Sequence, residues 1–199
     1  MYYGIYKNIR NSTWQCLIDN DIDRLPVDIL KIAKNCNIHV KKNSQINELL
    51  PNEDAKTYFD GNTWIIIYND LNNINVSRFA IAHELGHIFL GHEKALGKYA
   101  NVEEFGKKPK SEEQADFFAL RLLCPSCVLM HLNLRSAKEI EDACHIPFSW
   151  AEKRKVRMSK LYKANKFYTD PLEVKVSEKF IEFYKSKNIT VNFKNLEDF

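Results

Sequence analysis

The stretch Val76-Ser77-Arg78-Phe79-Ala80-Ile81-Ala82-His83-Glu84-Leu85-Gly86-His87-Ile88-Phe89-Leu90-Gly91 decides how the chain is read. Val76, Phe79, Ala82, Gly86 and Leu90 recur at helical spacing, with His83 and His87 between them. Residues four apart on a helix lie about 40° apart around its axis, so both imidazoles project from one face. They can then reach one zinc ion through ring nitrogens at about 2.0–2.1 Å. Glu84 is one position along, beside the open coordination site where water binds, and is the expected general base. Gly86 is small enough for close packing, and Gly91 is a natural C-terminal stop. The competing reading is a surface helix with two satisfied histidines. It fits less well, because imidazoles inside an apolar stripe are costly unless something uses their nitrogens.

A catalytic zinc site needs a third protein ligand. A second amphipathic helix is predicted from Ser111, where Ser111 and Gln114 make a capping-box pattern. Ala115, Phe118, Ala119 and Leu122 follow on one face, and Pro125 ends or kinks the helix. Glu112, Asp116 and Ala119 share a face, whereas Glu113 is about 100° away. Glu112 is therefore the expected ligand, and Asp116 the group that orients one ligand histidine. Acids in a first helical turn also complement the helix dipole, which suits Glu112 and Glu113 equally and leaves the choice between them open. His92 would complete a three-histidine set, but Gly91-His92 lies one place off the His-x-x-Gly-x-x-His spacing. His92 reads instead as a loop residue near the site.

Upstream, the residues to about Arg24 are polar and weakly patterned, an N-terminal extension (1–24). Pro26 is expected to open a helix carrying Val27, Leu30, Ile32, Ala33 and Cys36. Asn37-Ile-His-Val reads as a short strand. Asp60-Gly61 signals a hairpin between Thr57-Tyr-Phe and Thr63-Trp-Ile-Ile-Ile-Tyr. Residues 92–110 read as a loop with an optional short strand. Beyond Pro125 the chain reads as mainly helical, with a helix near 178–186 and an optional strand at 189–193. The expected fold is α+β: an active-site helix pair of zincin type, a small antiparallel or mixed sheet, and a helical C-terminal region. The expected division is a metallopeptidase core at 25–127 followed by a helical region at 128–199.

Of 199 residues, 45% are apolar and 28% charged, which describes a globular chain able to build a core. The net charge of +3 does not by itself imply nucleic acid. Lys107-Lys108-Pro109-Lys110 and Lys153-Arg154-Lys155 with Arg157 read as solvated faces. No apolar stretch approaches the roughly 20 residues needed to span a bilayer. The N-terminus lacks a signal-peptide pattern, and the five cysteines form no disulfide framework. These features lead to the expectation of a reducing, cytoplasmic setting. Cys124-Pro-Ser-Cys127 could join His131 and Cys144 in a second metal site, but packing is the favoured reading.

Beyond the pentapeptide, Ser77-Arg-Phe-Ala-Ile-Ala precedes the histidines and Glu112-Glu-Gln-Ala-Asp-Phe-Phe-Ala-Leu-Arg-Leu-Leu-Cys-Pro125 follows them. This arrangement resembles the ImmA/IrrE-like metallopeptidases over roughly residues 25–162. Gln114, where a glutamate is common, and Cys124, where methionine is usual, depart from the pattern. The resemblance implies His83, His87 and Glu112 as ligands and Glu84 as base. It also implies a protein substrate, a helix-turn-helix repressor cut at one target. Two other readings stand beside it. One is a non-catalytic, zinc-stabilised module that binds a transcription factor; an intact Glu84 disfavours it. The other is a zinc hydrolase acting on a non-peptide amide. For the group that steadies the developing oxyanion, the candidates are His92, Tyr99 and His131.

Overall fold

The computed structural model describes residues 3–5, 8–92 and 110–191. In chain order the elements are helices α1 (Ile9–Asp19) and α2 (Ile29–Asn35), strand β1 (Ile38–Lys42), the one-turn α3 (Asn43–Ile46), and strands β2 (Ala55–Phe59) and β3 (Trp64–Tyr68). Helices α4 (Ile74–Leu90), α5 (Lys110–Leu123), α6 (Ser126–His131) and α7 (Ala137–Cys144) follow. The chain then continues through α8 (Phe148–Lys163), α9 (Pro171–Lys179) and α10 (Ile181–Ser186). The α+β architecture matches the one read from the sequence.

The sheet is mixed, in the order β1-β3-β2. The hairpin signal at Asp60-Gly61 is realised as an antiparallel β2–β3 pair. The Asp60 carboxylate accepts from the backbone N–H of Asn62 (2.9 Å) and Thr63 (2.8 Å), and Gly61 takes φ +98°. That φ is open to glycine without a Cβ penalty. β1 joins β3 in parallel, with Val40 beside Ile66. Ile65, Ile66 and Ile67 are buried in succession, as a central strand covered on both faces requires. β3 leads by a short turn into α4. The Asn73 side chain caps that helix by accepting from the Asn75 N–H.

α4 is enclosed rather than amphipathic at the surface: Phe79, Ile81, Ala82, Leu85, Ile88 and Phe89 are all buried. Its main partner is α5, and Gly86 sets their separation. A Cβ on Gly86 would lie 3.1 Å from the Ala115 Cα and 3.2 Å from the Ala115 carbonyl oxygen. Both contacts are to backbone, which cannot rotate away. Arg78 anchors the other side of α4, donating to the Val27 carbonyl (2.8 Å) and the His145 carbonyl (3.3 Å).

Several local expectations need correcting. The segment before Arg24 holds α1, whose buried face is Ser12, Thr13, Trp14, Cys16 and Leu17. That face mixes hydroxyls with apolar groups, so hydrophobic periodicity conceals it. Pro26 does not open α2: Asp28 caps it, accepting from the Lys31 N–H, and Leu30 is exposed. Ser111 lies inside α5, and Gln114 turns to His92 instead of back to the helix start. Residues 189–191 form no strand, and the remainder of that expectation lies outside the described residues. So do Tyr99 and most of the 92–110 loop. The basic run on α8 is not wholly solvated. Arg154 is buried and donates to the Cys124 carbonyl at the end of α5. Phe180 and Tyr184 are core residues.

Gly86→Ala sets two effects against each other. Alanine gains about 1 kcal/mol of helix propensity. Overpacking against a fixed backbone costs about 1–3 kcal/mol. The expected result is a net loss of about 1 kcal/mol in urea unfolding. A variant more stable than wild type would show that the α4–α5 contact is looser than described.

Candidate metal centre

α4 carries both histidines on the face turned to α5, and the first turn of α5 supplies the carboxylate. The His83 and His87 Nε2 atoms are 3.0 Å apart. His83 Nε2 lies 3.2 Å from Glu112 Oε2, and His87 Nε2 lies 3.4 Å from Glu112 Oε1. Ligands of a single tetrahedral ion with bonds of about 2.1 Å are about 3.4 Å apart, so this triangle suits one cation. Among the described residues, His83, His87 and Glu112 are the one group of such side chains close enough to share a metal. Glu113 is exposed and does not join them. The donor set of two imidazole nitrogens and one carboxylate favours a borderline metal such as zinc over calcium or magnesium, which prefer oxygen throughout.

The remaining ring nitrogens are also placed. His83 Nδ1 is 2.9 Å from Asp116 Oδ1, one turn along α5 from Glu112. This is the carboxylate–histidine arrangement that orients a metal-binding imidazole. His87 is fully buried. Its Nδ1 lies 3.1 Å from His92 Nδ1, and His92 Nε2 lies 3.1 Å from Gln114 Oε1. Burial would depress the His83 pKa, but its bonds to Asp116 and Glu112 outweigh that and raise it from near 6.5 to about 9. Burial, then the adjacent His87, lowers His92 to about 4, so its ring stays neutral near pH 7.

Glu84, which lies between His83 and His87 in the chain, is buried and borders a cleft of about 370 Å³. His83, Glu112 and Asp116 line that cleft. One wall is Asn52 to Ala55, at the start of the edge strand β2. The other is Val76, Phe79, Pro147 and Trp150. The Phe79 and Trp150 rings stack at 4.3 Å, and the Lys153 ammonium sits over Trp150.

The peptidase M78 family profile, described as an IrrE N-terminal-like domain, matches residues 35–163. The chain belongs to this family. No curated protein matches it. The M78 match spans α4, α5 and the cleft wall on α8. It makes this a metallopeptidase-type chain with a His-His-Glu group able to hold a metal.

The other candidates of the M78 chain separate from this centre. Cys124, Cys127 and Cys144 are free, fully buried thiols that form no metal-binding group with His131. His131 bonds to the Tyr168 hydroxyl and packs on Tyr184, and it does not border the cleft. His92 does not border it either; it lies against His87. Neither histidine is therefore placed to meet an oxyanion in the cleft. The Pro147–Trp150 wall escaped the sequence reading. It comes from a distant segment, and no local pattern links a tryptophan on α8 to a helix this far upstream.

The raised His83 pKa has a sign. A proton held more tightly in the folded chain stabilises it below pH 6.5, and that stability is lost as pH rises through about 9. Metal must displace the same proton. Metal-free protein should lose stability between pH 6.5 and 9, while apparent zinc affinity climbs over that window. Thermal unfolding and chelator competition at several pH values would measure both. Zinc affinity independent of pH here would contradict the assignment of His83.

Proposed function

We propose that the chain is a zinc-dependent endopeptidase that cuts a specific regulatory protein, a helix-turn-helix repressor. The observation that carries the catalytic part is the placement of Glu84. It is a buried residue that follows His83 directly on α4, beside the group His83, His87 and Glu112, and it borders the cleft. Zinc held by His83, His87 and Glu112 would polarise the scissile carbonyl and lower the pKa of water towards about 7. Glu84 takes the proton of the attacking water and delivers it to the departing amide nitrogen. Asp116 holds the His83 ring in place through Nδ1. A non-catalytic binding module would leave a base at this position without a task.

The cleft supports a peptide substrate. Its lining joins an apolar aromatic wall to the start of β2, which among the described residues is an edge strand where an extended chain can find backbone partners. The repressor target follows from the family resemblance. No helix among the described residues is long and apolar enough to cross a membrane.

Glu84→Gln should retain zinc and lose cleavage by a factor of about 10²–10⁴. His83→Ala and Glu112→Ala should lose both, and Glu113→Ala neither. The assay is incubation with a purified helix-turn-helix repressor, followed by mass spectrometry of the products. Undiminished cleavage by Glu84→Gln would remove Glu84 from its role. A repressor left intact by zinc-loaded wild type would remove the proposed target.

A further inference from the structure

The end of α4 does more than stop a helix. Gly91 adopts a left-handed conformation (φ 70°, ψ 37°). Its N–H bonds to the Ile88 carbonyl, and the N–H of His92 bonds to the His87 carbonyl at 3.0 Å. This is a Schellman motif, in which the residue after the left-handed position returns against the helix turn containing its acceptor. An apolar pair commonly meets there. Here the pair is His92 and His87, joined both through backbone and ring to ring.

A hydrogen bond between two imidazole nitrogens needs one donor and one acceptor. His87 must keep its Nε2 lone pair free to serve the metal centre, so its proton belongs on Nδ1. His92 Nδ1 then accepts, which puts the His92 proton on Nε2. That nitrogen faces Gln114 Oε1 at 3.1 Å, and a carbonyl oxygen can only accept. The three groups form a directional relay with no competing arrangement in which Nε2 of His87 stays free.

We propose that His92 and Gln114 are positioning residues for His87, a relay that holds it in the one tautomer able to bind metal through Nε2. The proposal rests on the metal centre described above. The two ligand histidines are thereby oriented differently: His83 by a carboxylate, His87 by a neutral imidazole backed by an amide. Gln114 sits on α5 between Glu112 and Asp116, so α5 reaches the centre at three points.

The test uses ¹⁵N NMR of the histidine rings in metal-free full-length protein, beside zinc affinity from competition with a chromophoric chelator. The expected spectra place the proton of His87 on Nδ1 and that of His92 on Nε2. Zinc affinity should fall about 10–100-fold in His92→Ala. His92→Gln, whose amide oxygen can accept from Nδ1, should recover part of the loss. A His87 proton on Nε2 in wild type overturns the relay and needs no variant to fold. Zinc binding by His92→Ala within twofold of wild type overturns it as well, while leaving the metal centre standing. Wild type that takes up no zinc instead overturns the metal centre, and the relay with it.

Discussion

Two helix backbones touch at Gly86 and Ala115, and the site exists because they do. Any side chain at position 86 would meet the main chain of α5. With none there, the turn bearing Glu112 and Asp116 lies directly over the turns bearing His83 and His87. The ligand spacing is thus governed by main-chain contact between regular elements, which is stiffer than contact through long side chains. The hydrophobic residues around it, Leu85, Phe89, Phe118 and Leu122, are all fully buried and hold the contact closed.

That arrangement concentrates polar groups where they are costly. A fully buried imidazole, a buried glutamate and two carboxylates share one small region. In the metal-free protein the His83 proton supplies the positive charge that the acids require. A divalent cation would supply more and would also gather the lone pairs that the proton leaves uncommitted. The centre therefore favours being filled for reasons independent of catalysis. Asp116 and His92 engage the Nδ1 atoms of His83 and His87, and both Nε2 atoms turn towards Glu112.

The part of this that local sequence reveals is the part made by local geometry. Two histidines four apart must share a helical face. Glu112 and Asp116, also four apart, must share another. The hairpin was visible because Asp60 and Gly61 each satisfy a need of the backbone at a fixed offset. α1 was hidden because its inward face carries Ser12 and Thr13 beside Trp14, which blurs the apolar period. The start of α2 was misplaced because proline suits both a first helical turn and the residues just ahead of a cap. The role of His92 was out of reach for another reason. Spacing disfavours it as a third ligand, but only the left-handed turn at Gly91 brings its ring back onto His87. Trp150 is invisible for want of any local relation to α4.

Trp150 in the aromatic wall of the cleft belongs to α8, and α8 is fastened by Arg154 to the far end of the same helix whose first turn carries Glu112. Chemistry and fit are thus written in different stretches of the chain but mounted on one beam. Exchanges along the outer turns around Pro147 and Trp150 can reshape what enters without disturbing a single ligand. The shape of the opening can thus vary in evolution while the residues beneath it stay as they are.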